Sequence, residues 1–217
     1  MGKFKAVLFD LDGTLLDTID DLADSMNDVL ARNGFPAHGV AEYKYFVGDG
    51  IVNLVRRALP ADRRDEQTLA RLVAEQRREY GRRWADKTRP YDGIPQLLDA
   101  LSERGLALAV LSNKPHETTQ AVVAKFLSRW TFAVVRGEGP HTPAKPDPTG
   151  ATQVAAQLGL PPAQCLYVGD TDTDMKTATA AGMYAAGALW GFRTADELRR
   201  HGAKTLLAHP RELLKLL

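Results

Sequence analysis

Two aspartates follow a short apolar run near the start of the chain. Residues 9–17 read FDLDGTLLD, so Asp10 and Asp12 are separated by one residue and precede Gly13, which allows a tight turn. Two carboxylates held about 4 Å apart repel each other by roughly 4 kcal/mol at an effective dielectric near 20. A nearby cation or proton relieves this repulsion. Aspartates also end strands and cap helices, so this motif alone leaves a functional and a purely structural interpretation open.

A second acidic motif follows another apolar run later in the chain. Residues 169–174 read GDTDTD and contain Asp170, Asp172 and Asp174. Helix capping accounts for one of these acids, but not for five acids that we expect to converge at one edge of a sheet. Mg²⁺ prefers oxygen ligands and is commonly held by one or two carboxylates and a substrate phosphate. Because the five histidines form no pairs with the spacing of a zinc site, the sequence favours Mg²⁺ over zinc.

Two further segments carry groups that suit a phosphate. Ser112 and Asn113 end an apolar run and offer a hydroxyl, an amide and backbone N–H groups, and Lys145 offers an ammonium before a predicted helix. Taken singly, a serine at such a position is usually a turn residue, and a lone lysine is usually a solvated surface charge. Their order along the chain, after the acidic pair, favours the functional interpretation.

The elements that must position these residues alternate along most of the chain. Short apolar runs predict buried strands, separated largely by segments with helical patterns. This alternation predicts an α/β fold with a Rossmann-like parallel sheet covered on both faces. Ligands of such sheets bind at the carboxyl ends of the strands, where the motifs stand. We predict strands at residues 5–10, 106–111, 132–135, 165–168 and 184–189, and helices at 96–103, 117–126, 148–158 and 174–181.

One long segment interrupts the alternation with helical signals alone. It begins near Thr18 and ends near Arg89. Gly34 is placed to end its first helix, and Pro90 and Gly93 suit a hinge where the chain returns. We therefore predict an α/β core of residues 1–16 and 90–217 with an inserted all-helical cap of residues 17–89. Two apolar stripes with helical spacing support the cap: Ile19, Leu22, Ala23, Met26, Val29 and Leu30, and Leu69, Leu72, Val73, Gln76, Tyr80 and Trp84.

The composition excludes several classes of protein. The chain has 217 residues, of which 44% are hydrophobic and 25% charged, as expected of a folded globular protein. Its formal net charge of +1 provides no general attraction to nucleic acid or to an anionic membrane. No apolar run approaches the roughly 20 residues that span a bilayer. The single cysteine, Cys165, excludes an internal disulfide, and a reducing cytoplasm is the simplest location.

The motifs DLDGT, LSN, the Lys145-Pro146 pair and GDTDTD together resemble the haloacid dehalogenase superfamily in residue type, order and approximate spacing. The resemblance covers nearly the whole chain, and the helical block is similar to the cap that this superfamily carries after its first strand. FVGDG at 46–50, RPYDG at 89–93 and SNKP at 112–115 look most like its phosphoglycolate phosphatase group. The dehalogenase branch lacks an acid at the position of Asp12, so Asp12 favours phosphoryl chemistry.

This resemblance implies a role for each motif residue. Asp10 attacks phosphorus and forms an aspartyl-phosphate, and Asp12 protonates the leaving oxygen and then deprotonates water. Mg²⁺ is held by Asp10, by Asp12 through its backbone carbonyl, and by Asp170, with Asp174 either a further ligand or a residue behind the ligands. Lys145 is catalytic because its charge stabilises the transferring phosphoryl group. The remaining contacts to the phosphate, its loop and the substrate come from Gly13, Thr14, Ser112 and Asn113.

The resemblance also implies that the helical block acts as a lid over a small anionic phosphate ester. Arg56 is the preferred contact for a substrate carboxylate, since it lies near the turn at residues 48–50. The leading activity is hydrolysis of 2-phosphoglycolate. Three alternatives stay open: a sugar phosphomutase, an inorganic pyrophosphatase or nucleotidase of the same superfamily, and, least favoured, a non-catalytic regulatory domain on the same fold.

Overall fold

Strands and helices alternate along the residues that the computed structural model describes, 3–217. The strands are β1 (Ala6–Phe9), β2 (Leu16–Asp17), β3 (Arg89–Pro90), β4 (Ala107–Pro115), β5 (Phe132–Glu138), β6 (Cys165–Gly169), β7 (Tyr184–Ala188) and β8 (Thr205–Leu207). The helices are α1 (Ile19–Arg32), α2 (Val40–Phe46), α3 (Ile51–Ala58), α4 (Glu66–Arg83), α5 (Ile94–Glu103), α6 (His116–Phe126), α7 (Thr149–Gln157), α8 (Asp172–Ala180) and α9 (Ala195–Arg200). None of the helices in this range is both long enough and apolar enough to cross a membrane. The cytoplasmic location stays a prediction.

Two compact units divide the chain. The core unit comprises the residues up to Leu16 together with Pro90–Leu217. The helical unit comprises Asp17–Arg89 and contains α1 to α4. Each unit has its own apolar interior, so each is described by itself below.

The core unit is built on a six-stranded parallel sheet with the strand order β5-β4-β1-β6-β7-β8. β1 lies between β4 and β6, and Phe9 is level with Val110 on one neighbour and with Val168 on the other. Every residue of β1 is buried, as expected of a strand that is covered on both faces. On one face, Ala6 and Leu8 pack in a cluster with side chains of α7, α8 and α9. The predicted α/β fold is confirmed.

Several elements differ in extent from the sequence prediction. β4 continues to Pro115 and β5 to Glu138, because polar residues also join the ladder there, with Ser112 level with Gly137. An apolar pattern cannot detect strand residues whose side chains are polar. β8 and α9 were not predicted from the sequence, because segments of three and six residues are too short to carry a periodic pattern.

The helical unit buries both predicted stripes where α1 and α4 pack against each other. Gly34 has a φ of 72°, a conformation that favours glycine, and it follows the end of α1 as predicted. Charged side chains pair beside this interface: Glu79 lies 3.0 Å from Arg32 and 2.8 Å from Arg83. Of the twelve stripe residues, all are buried except Trp84, which is half-buried.

A buried aspartate ties the start of the helical unit to its end. The Asp21 carboxylate, in the first turn of α1, accepts hydrogen bonds from the backbone N–H groups of Lys87 and Thr88, each at 2.9 Å. The Thr88 hydroxyl donates a further hydrogen bond at 2.7 Å. Asp21 is only 1% exposed, so these donors replace the water that a carboxylate otherwise needs.

We expect Asp21→Asn to lower the free energy of unfolding by roughly 1–3 kcal/mol, because an amide nitrogen then faces backbone donors that lose their acceptor. Urea denaturation followed by circular dichroism measures this change. Asp20→Asn, a half-buried neighbour in the same helical turn, is the matched control and should have a much smaller effect. Equal stability of the Asp21 variant and the wild type would contradict a stabilising role for these hydrogen bonds.

Candidate active site

The candidate site lies where β1 and β6 end side by side. Asp10 follows β1 directly, and its backbone N–H donates to the carbonyl oxygen of Val168 on β6 at 2.9 Å. Asp170 follows β6, and Asp174 lies in the first turn of α8. The parallel arrangement therefore brings the two acidic motifs to the same edge of the sheet, as predicted for ligand sites in such folds.

Three carboxylates form a buried group at this edge. One oxygen from each of Asp10, Asp170 and Asp174 lies within 4.8 Å of the other two. Asp170 and Asp174 are fully buried, and Asp10 is 6% exposed. Unpaired charges in such a place cost several kcal/mol each, so this group requires cations or protons.

Lys145 supplies one positive charge to the group. Its Nζ lies 2.7 Å from Asp10 Oδ1 and 2.6 Å from Asp174 Oδ1. Burial by itself lowers the pKa of the lysine, but the two carboxylates outweigh this effect and raise the pKa of Lys145 well above its ordinary value. The ammonium therefore stays charged. Together with the three carboxylates it leaves these four side chains with a formal charge of −2.

Asp174 is enclosed by hydrogen-bond donors. Its Oδ1 accepts from Lys145 and from the Tyr167 hydroxyl at 3.2 Å, and its Oδ2 accepts from the Thr171 backbone N–H at 3.0 Å and from the Thr171 hydroxyl at 2.7 Å. Thr171 is the N-cap of α8, so one capping box both starts the helix and fixes the carboxylate. Four accepted hydrogen bonds use about all of the acceptor sites of a carboxylate.

Asp170 is held by the loop that follows β1 and by the segment that follows β7. The Thr14 hydroxyl donates to Asp170 Oδ1 at 2.7 Å, and the Phe192 backbone N–H donates to Oδ2 at 2.8 Å. Gly13 has a φ of 85°, and a Cβ added there or at Gly191 would overlap the Asp170 side chain. These glycines allow two backbone segments to approach the carboxylate closely.

Asp12 lies outside the buried carboxylate group and has its own cation. The Lys114 Nζ contacts both of its carboxylate oxygens, at 2.7 and 2.6 Å. The Asp12 side chain is 15% exposed, and that of Lys114 is 9% exposed. The two neighbouring aspartates of the first motif therefore differ in environment, and only Asp10 belongs to the carboxylate group.

Ser112 and Asn113 lie at the end of β4. The Ser112 hydroxyl is buried and accepts the backbone N–H of Lys114 at 3.2 Å. The Asn113 amide pairs with the backbone of Lys145, since Oδ1 accepts its N–H at 2.7 Å and Nδ2 donates to its carbonyl oxygen at 3.1 Å. These two bonds fix the main chain that carries the Lys145 ammonium.

Asp172 lies outside the carboxylate group, and Arg56 belongs to the helical unit. Asp172 pairs with Lys176 at 2.6 Å on the outer side of α8, so the expected convergence of five acids is wrong for this residue. Each residue of an α-helix is turned by about 100° from the one before it, so Asp172 and Asp174, two residues apart, face nearly opposite sides. Arg56 is exposed on α3 in the helical unit and donates to Asn53 Oδ1 at 2.7 Å. Its contact with substrate stays a prediction.

Three residues that hold the site together had no predicted role: Lys114, Thr171 and Phe192. Lys114 stands two residues after Ser112, and a strand continued to Pro115 would have placed both on one face. Thr171 and Asp174 have the spacing of a capping box, which is readable in the sequence. Phe192 acts through its backbone N–H, which no residue type encodes, so its contact with Asp170 required the structure.

Burial and mutual repulsion change the acidity of the carboxylates. Burial, followed by repulsion from Asp174, raises the pKa of Asp10 well above its usual range despite the adjacent Lys145. The same two causes raise the pKa of Asp170 to about 7. The group therefore binds protons readily at neutral pH. A divalent cation would balance the charge of −2 on the four side chains, so the donor set of buried oxygens fits such an ion.

Comparison with known protein families identifies this arrangement. A family model described as haloacid dehalogenase-like hydrolase matches residues 4–182, which is most of the chain. The chain belongs to this family. The fold of the hydrolase is also close to solved members, since the crystal structure of a candidate phosphoglycolate phosphatase from Lactobacillus delbrueckii subsp. bulgaricus superposes with a TM-score of 0.94. That structure has 30% sequence identity to this chain and covers 99% of both chains.

Two relatives that match most of the chain are phosphatases. A phosphoglycolate phosphatase of Xanthomonas campestris pv. campestris is 32% identical over 193 residues, which cover 89% of this chain and 86% of the relative. An N-acetylmuramic acid 6-phosphate phosphatase of Pseudomonas aeruginosa is also 32% identical and covers 99% of this chain and 95% of the relative. The hydrolase is therefore a phosphoric monoester hydrolase, as the resemblance implied.

We expect the metal-free hydrolase to lose stability as the pH rises from about 4 to 7. An unfolded aspartate titrates near 3.9, whereas folded Asp170 titrates at about 7. The folded state thus holds more protons between these values and is destabilised as they leave. Thermal denaturation in EDTA between about pH 4 and 8 measures the effect.

Asp170→Asn should reduce this fall in melting temperature, because the variant lacks the titrating group. Asp172→Asn makes the same chemical change outside the carboxylate group and is the matched control. A wild-type melting temperature that does not change over this range, or an equal fall in the Asp170 variant, would contradict the assignment.

Proposed function

We propose that this chain is a magnesium-dependent phosphatase that hydrolyses small phosphate monoesters through an aspartyl-phosphate on Asp10. The observation that carries this proposal is the separation of two neighbouring aspartates into different environments. Asp10 lies on Lys145 within the buried carboxylate group, whereas Asp12 lies outside the group on Lys114. A nucleophile and a general acid need such different surroundings.

The first half of the reaction is a displacement at phosphorus. An oxygen of Asp10 attacks the phosphorus atom, a new O–P bond forms, and the bond between phosphorus and the ester oxygen breaks. Asp12 donates its proton to that leaving oxygen, so an alcohol leaves rather than an alkoxide. A positioned general acid of this kind typically accelerates a reaction by about 10²- to 10⁴-fold.

The second half hydrolyses the aspartyl-phosphate. Asp12, now a carboxylate, takes a proton from a water molecule as the water oxygen attacks phosphorus. The bond between phosphorus and Asp10 breaks, inorganic phosphate leaves, and both aspartates return to their starting states. Splitting one difficult displacement in two lowers the barrier of each step.

Fixed positive charge and donors stabilise the transferring phosphoryl group. Lys145 is the closest described ammonium to Asp10, and Asn113 fixes its main chain. The Ser112 hydroxyl lies on a segment that ends at the same edge, whereas the backbone N–H of Gly13 already donates to the carbonyl oxygen of Leu16 at 2.9 Å. Preorganised charges and donors supply most of the catalysis of phosphoryl transfer.

The carboxylate group suits Mg²⁺. Asp10, Asp170 and the backbone carbonyl of Asp12 would hold the ion, which supplies positive charge that offsets the charge of the phosphate. Asp174 already accepts four hydrogen bonds, so its proposed role is to hold Lys145 rather than to bind the ion directly. Thr14 and Phe192 orient Asp170 for this purpose.

Phosphoglycolate is the leading substrate because relatives over most of the chain carry that name. N-acetylmuramic acid 6-phosphate is a second candidate, supported by a relative of equal identity and greater coverage. A sugar phosphomutase would transfer the phosphoryl group to another hydroxyl without releasing it, and a pyrophosphatase or nucleotidase would prefer a phosphoanhydride or a nucleotide. A panel of these compounds, assayed for inorganic phosphate, separates the possibilities.

In such an assay we expect the wild type to release phosphate from phosphoglycolate and Asp10→Asn to release none above background. Asp12→Asn keeps the nucleophile Asp10 but lacks the general acid, so its kcat should fall by roughly 10²- to 10⁴-fold. Asp172→Asn, which makes the same change on the outer side of α8, should retain nearly full activity. Activity that persists in the Asp10 variant, with its circular dichroism unchanged, would contradict the mechanism.

Removal of metal gives an independent test. EDTA should abolish phosphate release and added Mg²⁺ should restore it, because the charge of −2 on the buried group then has its counterion. Mg²⁺ should also raise the melting temperature of the wild type and leave that of Asp170→Asn unchanged. Full activity in EDTA would contradict the metal assignment.

A further inference from the structure

Lys114 is a buried cation beside the general acid, and the mechanism above gives it no task. Its Nζ contacts both oxygens of Asp12, and its side chain is 9% exposed. Burying an ion pair costs desolvation energy that the mutual attraction repays only in part. Neutral hydrogen-bonding groups could orient one carboxylate at a lower desolvation cost, so a buried lysine is not needed for that purpose alone.

The position of Lys114 is set by that of the leaving group. Asp12 must lie within hydrogen-bonding distance of the leaving oxygen in order to protonate it. Since Nζ lies 2.6 Å from an oxygen of Asp12, the ammonium comes within about 6 Å of the leaving oxygen. Lys145, by contrast, contacts Asp10 on the side of the nucleophile. Lys145 therefore lies beside the nucleophile, and Lys114 lies beside the acid that protonates the leaving group.

We propose that Lys114 determines specificity by binding a carboxylate on the leaving group, next to the ester oxygen. This inference rests on the proposed function. In phosphoglycolate the carboxylate carbon is two bonds from the ester oxygen, so its oxygens come into the range of Nζ. In N-acetylmuramic acid 6-phosphate many more bonds separate the carboxylate from the ester oxygen. The preferred class is therefore phosphate esters of 2-hydroxy acids.

Hydrogen bonding permits this contact at small cost. An ammonium has three N–H donors, so one can turn to a substrate carboxylate while another keeps its contact with Asp12. Asp12 is then freed on one oxygen, which is the oxygen that must face the leaving group. An ester without the carboxylate leaves the buried ammonium with one partner fewer, which disfavours that ester.

The test compares two esters that differ only at the carboxylate. Ethyl phosphate has a methyl group where phosphoglycolate has its carboxylate. We expect Lys114→Met to lower kcat/KM for phosphoglycolate by about 30-fold or more relative to kcat/KM for ethyl phosphate, the lower end for breaking a buried charge pair. Loss of support for Asp12 affects both esters and cancels in this ratio.

Four variants complete the experiment. Lys114→Gln removes the charge but keeps a donor for Asp12, and it should lose the same preference even if the Met variant folds poorly. Lys114→Arg keeps the charge and should retain much of the preference. Arg56→Gln tests the competing prediction that Arg56 contacts the carboxylate, and Lys176→Gln, on the outer side of α8, is the control that should leave the ratio unchanged. Circular dichroism and melting temperature establish that each variant is folded.

Two outcomes would overturn the proposal. An equal fall for both esters in the Met and Gln variants would show that Lys114 acts only on Asp12. A ratio that falls in the Arg56 variant and not in the Lys114 variants would place the carboxylate contact in the helical unit. Failure of the proposed function is distinguishable, because it would appear in the wild type as no phosphate release from either ester.

Discussion

Three carboxylates and one ammonium are buried together at the end of β1, and the rest of the site depends on keeping them there. Each of these charges, if isolated, would cost several kcal/mol to remove from water. Lys145 reduces the repulsion by lying on Asp10 and Asp174 at once, but it leaves an excess of negative charge. That excess gives the site its affinity for protons and, in the proposed function, for a divalent cation. In the proposed function, the protein thus maintains an excess of negative charge that a divalent cation offsets.

The contacts that keep these charges in place also organise the backbone around them. The capping box that begins α8 uses Asp174 as its acid, so the contacts that begin the helix also hold the carboxylate in place. Asn113 at the end of β4 holds the peptide group of Lys145, which lies on a loop. Because each contact is short and buried, the geometry of the site is fixed before any ligand arrives. Such preorganisation is what electrostatic catalysis requires.

Much of this arrangement could be predicted from the sequence, because a parallel sheet collects the ends of its strands at one edge. That rule placed Asp10 and Asp170 together without any knowledge of contacts. It could not assign Asp172 and Asp174, since the answer depends on where α8 begins, and the predicted helix began two residues late. Asp12 and Lys114 illustrate a second limit. Sequence spacing brings side chains to one edge, but it does not say which acid takes which cation.

The Asp21 contact with Thr88 has a consequence for how this protein can change over time. It holds the first turn of α1 against the end of the 73-residue helical unit, so the two points where that unit joins the core are kept close by the unit itself. To the sheet, the insertion is then equivalent to a short loop, whose closure costs little additional entropy. The helical unit can therefore change in length or sequence while its two connections to the core stay close together.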